Sequence, residues 1–363
     1  MENLNPEIER FAKIRVIGIG GGGCNAISRM IEVGLRGVDF IVVNTDAQAL
    51  VSSPVRHKIQ IGPKTTGGLG SGADPGVGLQ AAQESRHEIE QALEGSDMVF
   101  ITSGMGGGTG TGGAPIIAEV AKELGALTIA VITKPFSFEG KQRKIIADEG
   151  AAILKEKVDT LITIPNDRLL QVIEPDTPLQ EAFKVADDIL RQGVQGVSDL
   201  ITIPGLINLD FADIRTIMHD AGSALIGIGE GTGEHRAVEA AERAINSPLL
   251  ETSIKGAQGI LLNITGGKDL SLHEVNAAAE IISNIADENA NIIFGAVINE
   301  SLEGIVRVTV LATGFGEAAK ATISLAGMER EVHPEPKAIP RIRAKQQSQE
   351  DLDIPAFLRA PGQ

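Results

Sequence analysis

Short runs of β-branched and aliphatic residues alternate with amphipathic segments over residues 14 to 164. Five of these runs predict strands, at 14–19, 39–43, 97–102, 127–133 and 159–164. Between them, apolar residues recur every three or four positions at 79–93 and 114–124, which predicts helices, and Pro115 suits the first turn of the second. Strands that alternate with helices are typical of a parallel sheet covered by helices. We therefore predict a doubly wound, mostly parallel α/β domain of the nucleotide-binding type.

The longest helical pattern follows, from Pro178 to Leu200. Its apolar residues recur with helical spacing: Leu179, Ala182, Phe183, Ala186, Ile189, Leu190, Val194, Val197 and Leu200. Thr177 can cap this helix, and Gln180 completes a capping box. At 1.5 Å per residue the segment spans about 35 Å. The apolar stripe is wider than a coiled-coil seam, which predicts a long central buried helix that joins two domains.

A second unit follows Pro204. It contains an acidic loop and helix at 208–219, helices at 233–246 and 272–286, and strands at 260–264, 291–298 and 305–312. Because the strands are fewer and partly hairpin-like, we predict an α+β domain. The predicted organisation is a flexible N-terminus at 1–12, a nucleotide-binding domain at 13–176, the central helix at 177–203, the α+β domain at 204–316, a flexible linker at 317–350 and a terminal peptide at 351–363.

The terminal peptide carries a short apolar cluster, DLDIPAFLR, at 351–359. This segment is too short to fold alone. Leu352, Ile354, Phe357 and Leu358 can dock into a groove once they are ordered, and Arg359 adds a charged contact. The pattern therefore favours a partner-binding peptide over a disordered remnant.

The composition excludes several classes of function. With 32 Lys and Arg against 48 Asp and Glu, the formal charge of −16 disfavours binding to nucleic acid or to an anionic membrane. Cys24 is the single cysteine and the six histidines lack zinc-site spacing, so no metal site built from protein ligands is predicted. The polar N-terminus and the absence of a long apolar run predict a cytoplasmic protein without membrane insertion.

Glycine is concentrated in three runs. The 43 glycines make up about 12% of the chain, where roughly 7% is usual. The runs are GIGGGGCN at 18–25, TTGGLGSGADPG at 65–76 and SGMGGGTGTGGAP at 103–115, and each precedes a helix. Their backbone amides, with the Thr109 and Thr111 hydroxyls, can surround one polyphosphate at the edge of the sheet. A glycine turn that only packs helix on strand is the alternative for the first run, and a Walker A loop is absent.

Three motifs now point to a family. GGGTGTG at 106–112 resembles the signature of the tubulin/FtsZ superfamily, and NLDFADIR at 208–215 together with DIPAFLR at 353–359 resembles its bacterial FtsZ family. The resemblance implies a GTPase that binds GTP or GDP with Mg²⁺, is activated by self-assembly and forms head-to-tail protofilaments. It further implies a cytokinetic ring at mid-cell, and membrane-tethering and regulatory division proteins as partners of residues 351–359.

The resemblance also assigns nucleotide contacts. Its phosphate loops fall on Gly20, Gly21, Gly22, Gly23 and Asn25, on Gly70, Gly72 and Ala73, and on Gly104, Gly106, Gly107, Gly108, Thr109, Gly110, Thr111 and Gly112. Its sugar and base contacts fall on Glu139, Arg143, Asn166, Phe183 and Asp187, with Asn25 also near the base.

Two of the assigned base contacts have a physical interpretation. Phe183 can stack on a purine, and the Asp187 carboxylate can accept from the N1–H and amino group of guanine, which adenine lacks. Phe183 can equally be a core residue. The adjacent Asp188 leaves open which acid contacts the base.

Asp210 and Asp213 stand three residues apart and share a face if the chain turns into a helix. Since they follow the end of the long helix, they lie at least about 20 Å from Asp187 and cannot reach the same nucleotide. In a head-to-tail stack they can orient the water that attacks the GTP of the next subunit, with Asn208 positioning the loop. The alternative is a helix-capping acid beside a solvated one.

Two rival functions stay open. Asp46 follows the second strand, where dinucleotide-dependent enzymes place an acid on the ribose, so a NAD-dependent oxidoreductase is one alternative. The second glycine loop, and the lack of a catalytic His or Cys near it, oppose that alternative. The other rival is a nucleotide-gated filament protein with negligible turnover.

Overall fold

The computed structural model of the chain describes residues 12–174, 176–203, 205, 207, 209–250 and 253–315. The predicted linker, the terminal peptide, Asn208 and the first eleven residues lie outside the described part of the chain. The boundaries proposed for the domains therefore stay predictions.

Within the described residues, ten strands form one sheet. They are β1 Ile14–Ile19, β2 Asp39–Asn44, β3 His57–Gln60, β4 Met98–Gly104, β5 Leu127–Lys134, β6 Thr160–Pro165, β7 Gly222–Thr232, β8 Gly259–Gly266, β9 Asn291–Ile298 and β10 Ile305–Thr313. Their order across the sheet is β3-β2-β1-β4-β5-β6-β7-β10-β8-β9. β10 is antiparallel to both of its neighbours, and every other pair is parallel. The predicted mostly parallel α/β architecture is confirmed.

The same residues form twelve α-helices. They are α1 Gly20–Glu32, α2 Ala47–Ser52, α3 Pro63–Thr66, α4 Pro75–Glu84, α5 Arg86–Leu93, α6 Thr109–Glu123, α7 Lys141–Lys155, α8 Asn166–Leu169, α9 Leu179–Thr202, α10 Phe211–Met218, α11 Arg236–Ile245 and α12 Leu272–Ser283. None of them has the length and hydropathy of a membrane-spanning segment.

Two predicted helices have different bounds. The segment 79–93 belongs to two helices that meet at Ser85, whose buried hydroxyl accepts a hydrogen bond from the Gly62 N–H at 3.1 Å. The second helix, α6, begins at Thr109 rather than near 114, so Pro115 lies inside it. The first turns of α6 contain glycine because the helix lies close to α4 there. A Cβ on Gly112 would lie 2.0 Å from the Pro75 carbonyl oxygen.

The long helix α9 carries much of the core between the two halves of the sheet. Ala186, Ile189, Leu190, Val194 and Val197 are buried in one cluster with residues of β1, β5, α1, α10 and the C-terminal strands. Its start differs from the prediction, since Pro178 is the N-cap residue and no described side chain caps the helix. The Thr177 capping box is therefore wrong.

Strand β7 was not predicted, because glycines at 227, 229 and 231 mask its apolar pattern. A Cβ at each position would lie within about 2 Å of a backbone oxygen of α11. The glycines therefore let α11 pack directly on the strand. The predicted hairpin character of the C-terminal strands is also wrong, since β9 pairs with β8 in parallel and β10 lies between β7 and β8.

Candidate functional site

A cavity of about 470 Å³ opens where β1, β4, β5 and β6 end and the helices that follow them begin. At one end it is lined by Gly20, Gly21, Gly22, Asn25, Ser71, Ala73, Gly104, Met105, Gly107, Gly108, Thr109 and Gly110. At the other end it is lined by Thr133, Pro135, Glu139, Arg143, Asn166, Phe183, Ala186 and Asp187. All three glycine runs thus reach one cavity, together with all five residues assigned to the sugar and base.

The first end of the cavity is formed by two helix N-termini. Helix α1 begins directly after β1, and α6 begins after Gly108; neither first turn is capped by a described side chain. A Cβ on Gly21 or Gly107 would have no described atom within 4 Å, so the cavity meets bare backbone there. Open N–H groups and two helix dipoles make this end suited to an anion.

Six predicted contacts do not line the cavity: Gly23, Gly70, Gly72, Gly106, Thr111 and Gly112. Gly23 packs α1 on the sheet, because a Cβ there would lie 2.3 Å from the Thr102 carbonyl oxygen. Gly106 turns the chain at φ 97°, and its N–H donates to the Thr111 hydroxyl at 2.9 Å. Close packing explains Gly23 and a tight turn explains Gly106, while nucleotide contacts by the six residues stay predictions.

Hydroxyl groups add to the backbone at this end. The Thr109 Oγ1 atom lies 2.6 Å from Thr45 Oγ1 and 3.0 Å from Ser71 Oγ. Ala73, which also lines the cavity, has a left-handed backbone at φ 62°, a conformation that costs energy in a residue other than glycine. The 71–73 segment is therefore held against the start of α6 in a strained form.

The second end of the cavity combines an aromatic face with polar groups. Phe183 is 39% exposed, so it is not a core residue. Its ring is nearly perpendicular to that of Phe136, and the two ring centroids are 5.7 Å apart. Asn166 is buried, and its Oδ1 atom has no hydrogen-bond partner among the described residues. Glu139 forms an ion pair with Arg143. A buried acceptor without a partner is costly, and a ligand with donor groups would satisfy it.

The two adjacent acids differ in their surroundings. Asp187 lines the cavity, and burial raises its pKa to about 7, although the Arg29 charge opposes the shift. Asp188 accepts hydrogen bonds from Arg191 Nε and Gln192 Nε2, both at 2.7 Å, and lies 3.6 Å from Arg29 Nε. Of the two, Asp187 is the acid whose carboxylate is available to a ligand.

The acid pair lies away from the cavity. Asp210 is the N-cap residue of α10, and its carboxylate accepts a hydrogen bond from the Asp213 N–H at 2.8 Å. The two residues therefore share the first turn of one helix, as predicted if the chain turns there. From Asp187 to the end of α9 at Thr202, the helix alone spans about 22 Å. Within one chain, these acids do not border the cavity.

Asp46 and Cys24, which the sequence analysis named, do not contribute reactive groups to the cavity. The Asp46 carboxylate caps α2 by accepting from the N–H groups of Gln48 and Ala49, at 2.8 and 3.2 Å. Cys24 is buried, and burial raises the pKa of its thiol to about 11, so it is not a reactive thiolate.

His219 belongs to a cluster of charged side chains with Asp159 and Asp220. Among the described residues these three could together hold a metal ion. Lys122 Nζ, however, lies 3.1 Å from each of the two carboxylates, so its ammonium group already offsets part of their negative charge. We assign this cluster a structural role.

The sequence analysis missed Thr45, Ser71, Met105, Thr133, Pro135 and Ala186. Ser71 and Met105 lie within the glycine runs, Thr133 is near the end of β5 and Pro135 follows that strand, so position alone could have suggested them. Ala186 faces the cavity because it follows Phe183 by three residues on α9. Thr45 follows β2 at the same edge of the sheet, but its contact with Thr109 joins residues 64 positions apart, which no local pattern indicates.

Comparisons with known proteins agree with this arrangement. The tubulin/FtsZ family, GTPase domain, matches residues 13–174, and the FtsZ family, C-terminal domain, matches residues 222–316. An empty FtsZ dimer from M. jannaschii is 47% identical with a TM-score of 0.83, and the match covers 92% of this chain and 96% of that one. A mutant FtsZ from the same organism is 50% identical with a TM-score of 0.81, and the match covers 84% of this chain and 92% of that one.

A more distant structure shares the fold. A GTPγS-bound protofilament of CetZ2 from Haloferax volcanii is 21% identical with a TM-score of 0.72. That match covers 87% of this chain and 97% of the other.

Proposed function

This chain belongs to the tubulin/FtsZ family of GTPases, and we propose that it hydrolyses GTP held in the cavity only when a second copy supplies Asp210 and Asp213. The observation that carries this proposal is the separation of the two groups. The cavity lies beside the start of α9, and the acids follow its end. Neither part is a complete hydrolytic site in one chain.

The base end of the cavity suits guanine. Phe183 offers a partly exposed ring for stacking, and the Asp187 carboxylate can accept from N1–H and the exocyclic amino group. Asn166 Oδ1, which is buried without a partner among the described residues, is a further acceptor for a nucleoside donor. Glu139 and Arg143 lie beside the same space and are proposed to contact the sugar.

The glycine amides of the α1 and α6 N-termini are proposed to hold the phosphates. The lining residues at this end offer hydroxyl oxygens, from Thr109 and Ser71, but no carboxylate. This donor set fits a Mg²⁺ ion that is bound mainly by nucleotide phosphates and water, with at most a hydroxyl from the protein. Such an ion would neutralise phosphate charge, while the protein orients the nucleotide.

In a head-to-tail stack, the 210–213 segment of one subunit is proposed to cover the phosphate end of its neighbour's cavity. Asp213 and Asp210 then accept hydrogen bonds from the attacking water and polarise it, and Asn208 positions the loop. Repeated contacts between unlike surfaces produce open filaments when the rotation between subunits does not close a ring. The related FtsZ of M. jannaschii has been solved as a dimer and the fold neighbour CetZ2 as a protofilament, which supports self-association of this chain.

We further propose that these filaments form a bacterial cytokinetic ring at mid-cell in the cytoplasm. The support is the resemblance of residues 208–215 and 353–359 to bacterial FtsZ. Residues 351–359 would then bind membrane-tethering and regulatory division proteins.

Dilution tests the coupling between assembly and hydrolysis. GTP hydrolysis per molecule should fall steeply once sedimentation shows that filaments have dissolved, because the acids then leave the neighbouring cavity. A rate per molecule that is the same for verified monomers and for filaments would overturn the proposal. Filaments that form without turnover would favour the rival nucleotide-gated filament protein.

Mixing two inactive variants tests whether the site is shared. Asp213→Ala keeps the cavity and should bind GTP normally without hydrolysing it. Gly21→Asp keeps the acids but places a carboxylate among the phosphate-binding amides. In an equal mixture, about one quarter of the head-to-tail contacts join an intact cavity to intact acids, and activity should return to about that fraction.

The mixture has two controls. Each variant alone at the same total concentration should be inactive, and sedimentation should show both variants in the mixed filaments. If co-assembled variants stay inactive, the acids do not act on the neighbouring cavity.

A further inference from the structure

Three hydroxyl groups from separate parts of the chain meet at the phosphate end of the cavity. Thr45 follows β2, Thr109 is the first residue of α6, and Ser71 lies in the loop before α4. Thr109 Oγ1 is the central atom, with Thr45 Oγ1 at 2.6 Å and Ser71 Oγ at 3.0 Å. Thr109 and Ser71 line the cavity, but Thr45 is fully buried behind them.

The burial of Thr45 sets the direction of this hydrogen-bond chain. A buried hydroxyl needs an acceptor for its proton. Among the described residues, Thr109 Oγ1 lies within hydrogen-bond distance of the Thr45 hydroxyl and can accept its proton, and water cannot reach that hydroxyl. Thr45 therefore donates to Thr109, Thr109 can donate in turn to Ser71, and the Ser71 proton is left to point towards the cavity.

Backbone contacts hold Thr45 in register with the loop that carries Ser71. The Thr45 carbonyl oxygen accepts from the Gly70 N–H and from the Thr66 hydroxyl, both at 3.4 Å. The next residues strengthen the connection, since the Ala47 N–H donates to the Gly68 carbonyl oxygen at 3.1 Å. These hydrogen bonds fix the backbone of Thr45, and with it the position of its hydroxyl, relative to the loop that carries Ser71.

We propose that Thr45 is a positioning residue for GTP hydrolysis: by donating to Thr109, it makes Thr109 donate to Ser71 and so keeps the Ser71 proton directed at the phosphates. The inference rests on the proposed location of the phosphates. Without the Thr45 hydroxyl, Thr109 Oγ1 would accept from Ser71 instead, and the Ser71 proton would turn away from the ligand. Thr45 itself would not touch the nucleotide.

Thr45→Val tests the proposal, because valine has nearly the same shape and lacks only the hydroxyl. We expect kcat for GTP hydrolysis, at equal polymer mass, to fall about fivefold to tenfold, as for the loss of one hydrogen bond that acts on the reacting group. GTP affinity measured by titration under non-assembling conditions should fall by a smaller factor. Thr45→Ser keeps the hydroxyl and should stay within about twofold of the wild-type rate.

Thr102→Val is the matched control. Thr102 is also a fully buried threonine, near the end of β4, but its Oγ1 has no hydrogen-bond partner among the described residues. The same substitution there should leave GTP hydrolysis and affinity unchanged. If Thr45→Val behaves like Thr102→Val, the proposal is wrong.

A merely structural role would give a different pattern. In that case Thr45→Ser, which loses a buried methyl group, would lower the melting temperature and the activity at least as much as Thr45→Val. The pair Thr45→Val and Ser71→Ala gives a second measurement: if both act through one chain of hydroxyls, the double variant should be no slower than the slower single variant. Fully additive losses would contradict the proposal.

The test separates this inference from the proposed function. If wild-type protein binds GTP and Asp187→Asn weakens that binding while Thr45→Val is normal, only the role of Thr45 fails. If Asp187→Asn and Gly21→Asp leave GTP binding unchanged, the nucleotide lies elsewhere and the proposed function itself fails.

Discussion

The two ends of α9 carry acids in opposite physical states. Near its start, Asp187 is half-buried beside a cavity, and burial raises its pKa to about 7. Beyond its end, Asp210 is exposed and already accepts a hydrogen bond from the Asp213 N–H. The first acid is costly until a ligand contacts it, and the second is satisfied without one.

This difference shows which functional groups can be recognised from the structure of a single chain. Groups that pay for burial, such as Asp187 and the Asn166 Oδ1 atom, mark a site that is built to receive a ligand. An exposed acid that caps its own helix shows no strain. The proposed role of Asp210 requires the cavity of a second copy. In one chain, the contacts of Asp210 are those of a helix N-cap.

The largest effect expected at the first end is on base selectivity. Asp187→Asn replaces one acceptor oxygen with a donor, so the affinity for GTP should fall about 10- to 100-fold, as for the loss of charge-assisted hydrogen bonds. Binding of inosine triphosphate, which lacks the amino group, should fall less. Competition binding measures both.

Asp188→Asn is the control for that prediction. Asp188 is bound to Arg191 and Gln192, so its substitution should change GTP affinity by less than about threefold. The reverse ranking of the two variants would move the base contact to Asp188.

The pH dependence of the same acid has the next largest effect. Because guanine needs the carboxylate form and burial raises the pKa of Asp187 to about 7, GTP affinity should fall by up to about tenfold per pH unit below 7. The Asp187→Asn variant supplies the reference, since titration of the phosphates affects both proteins equally. Parallel pH profiles for the two proteins would contradict the assignment.

Stability without nucleotide should respond to pH in the opposite direction. The folded-state pKa of Asp187 lies above the ordinary value of 3.8, so this group stabilises the protein fully below about pH 4. The contribution is lost as the pH rises through about 7. Melting curves of the nucleotide-free protein and of Asp187→Asn between pH 5 and 8 should therefore converge at the acidic end.

The smallest expected effect is on stability, and it comes from Asp210, beyond the other end of α9. Two substitutions there distinguish helix capping from catalysis. Asp210→Ala removes an N-cap and should cost about 1 kcal/mol of unfolding free energy, whereas Asp210→Asn retains a capping side chain. If the carboxylate acts on the attacking water, both variants should lose hydrolysis to the same degree. Normal hydrolysis by Asp210→Asn would show that Asp210 only caps α10.

Elements were predicted correctly where a local residue pattern indicates a single type of secondary structure. Strands β1, β2, β4, β5 and β6 are buried runs in a parallel sheet, and their positions were predicted to within two residues. The predictions were wrong where glycines allow two elements to pack closely. In β7 the alternating glycines admit α11, and in α6 the glycine run is itself helical because α4 lies against it. Such glycines resemble loop residues until the neighbouring backbone is known.

The amino-acid sequence by itself determined the α/β architecture, the long helix α9, the three glycine runs at one sheet edge and the residue types that suit a guanine nucleotide. Periodicity, backbone freedom and side-chain chemistry are local properties, so they can be read along the chain. Only the tertiary structure showed that Asp187, and not Asp188, lines the cavity, and that Thr45 meets Thr109. Thr45 and Thr109 are 64 positions apart, and the cavity combines residues from several elements, so both depend on packing rather than on any local pattern.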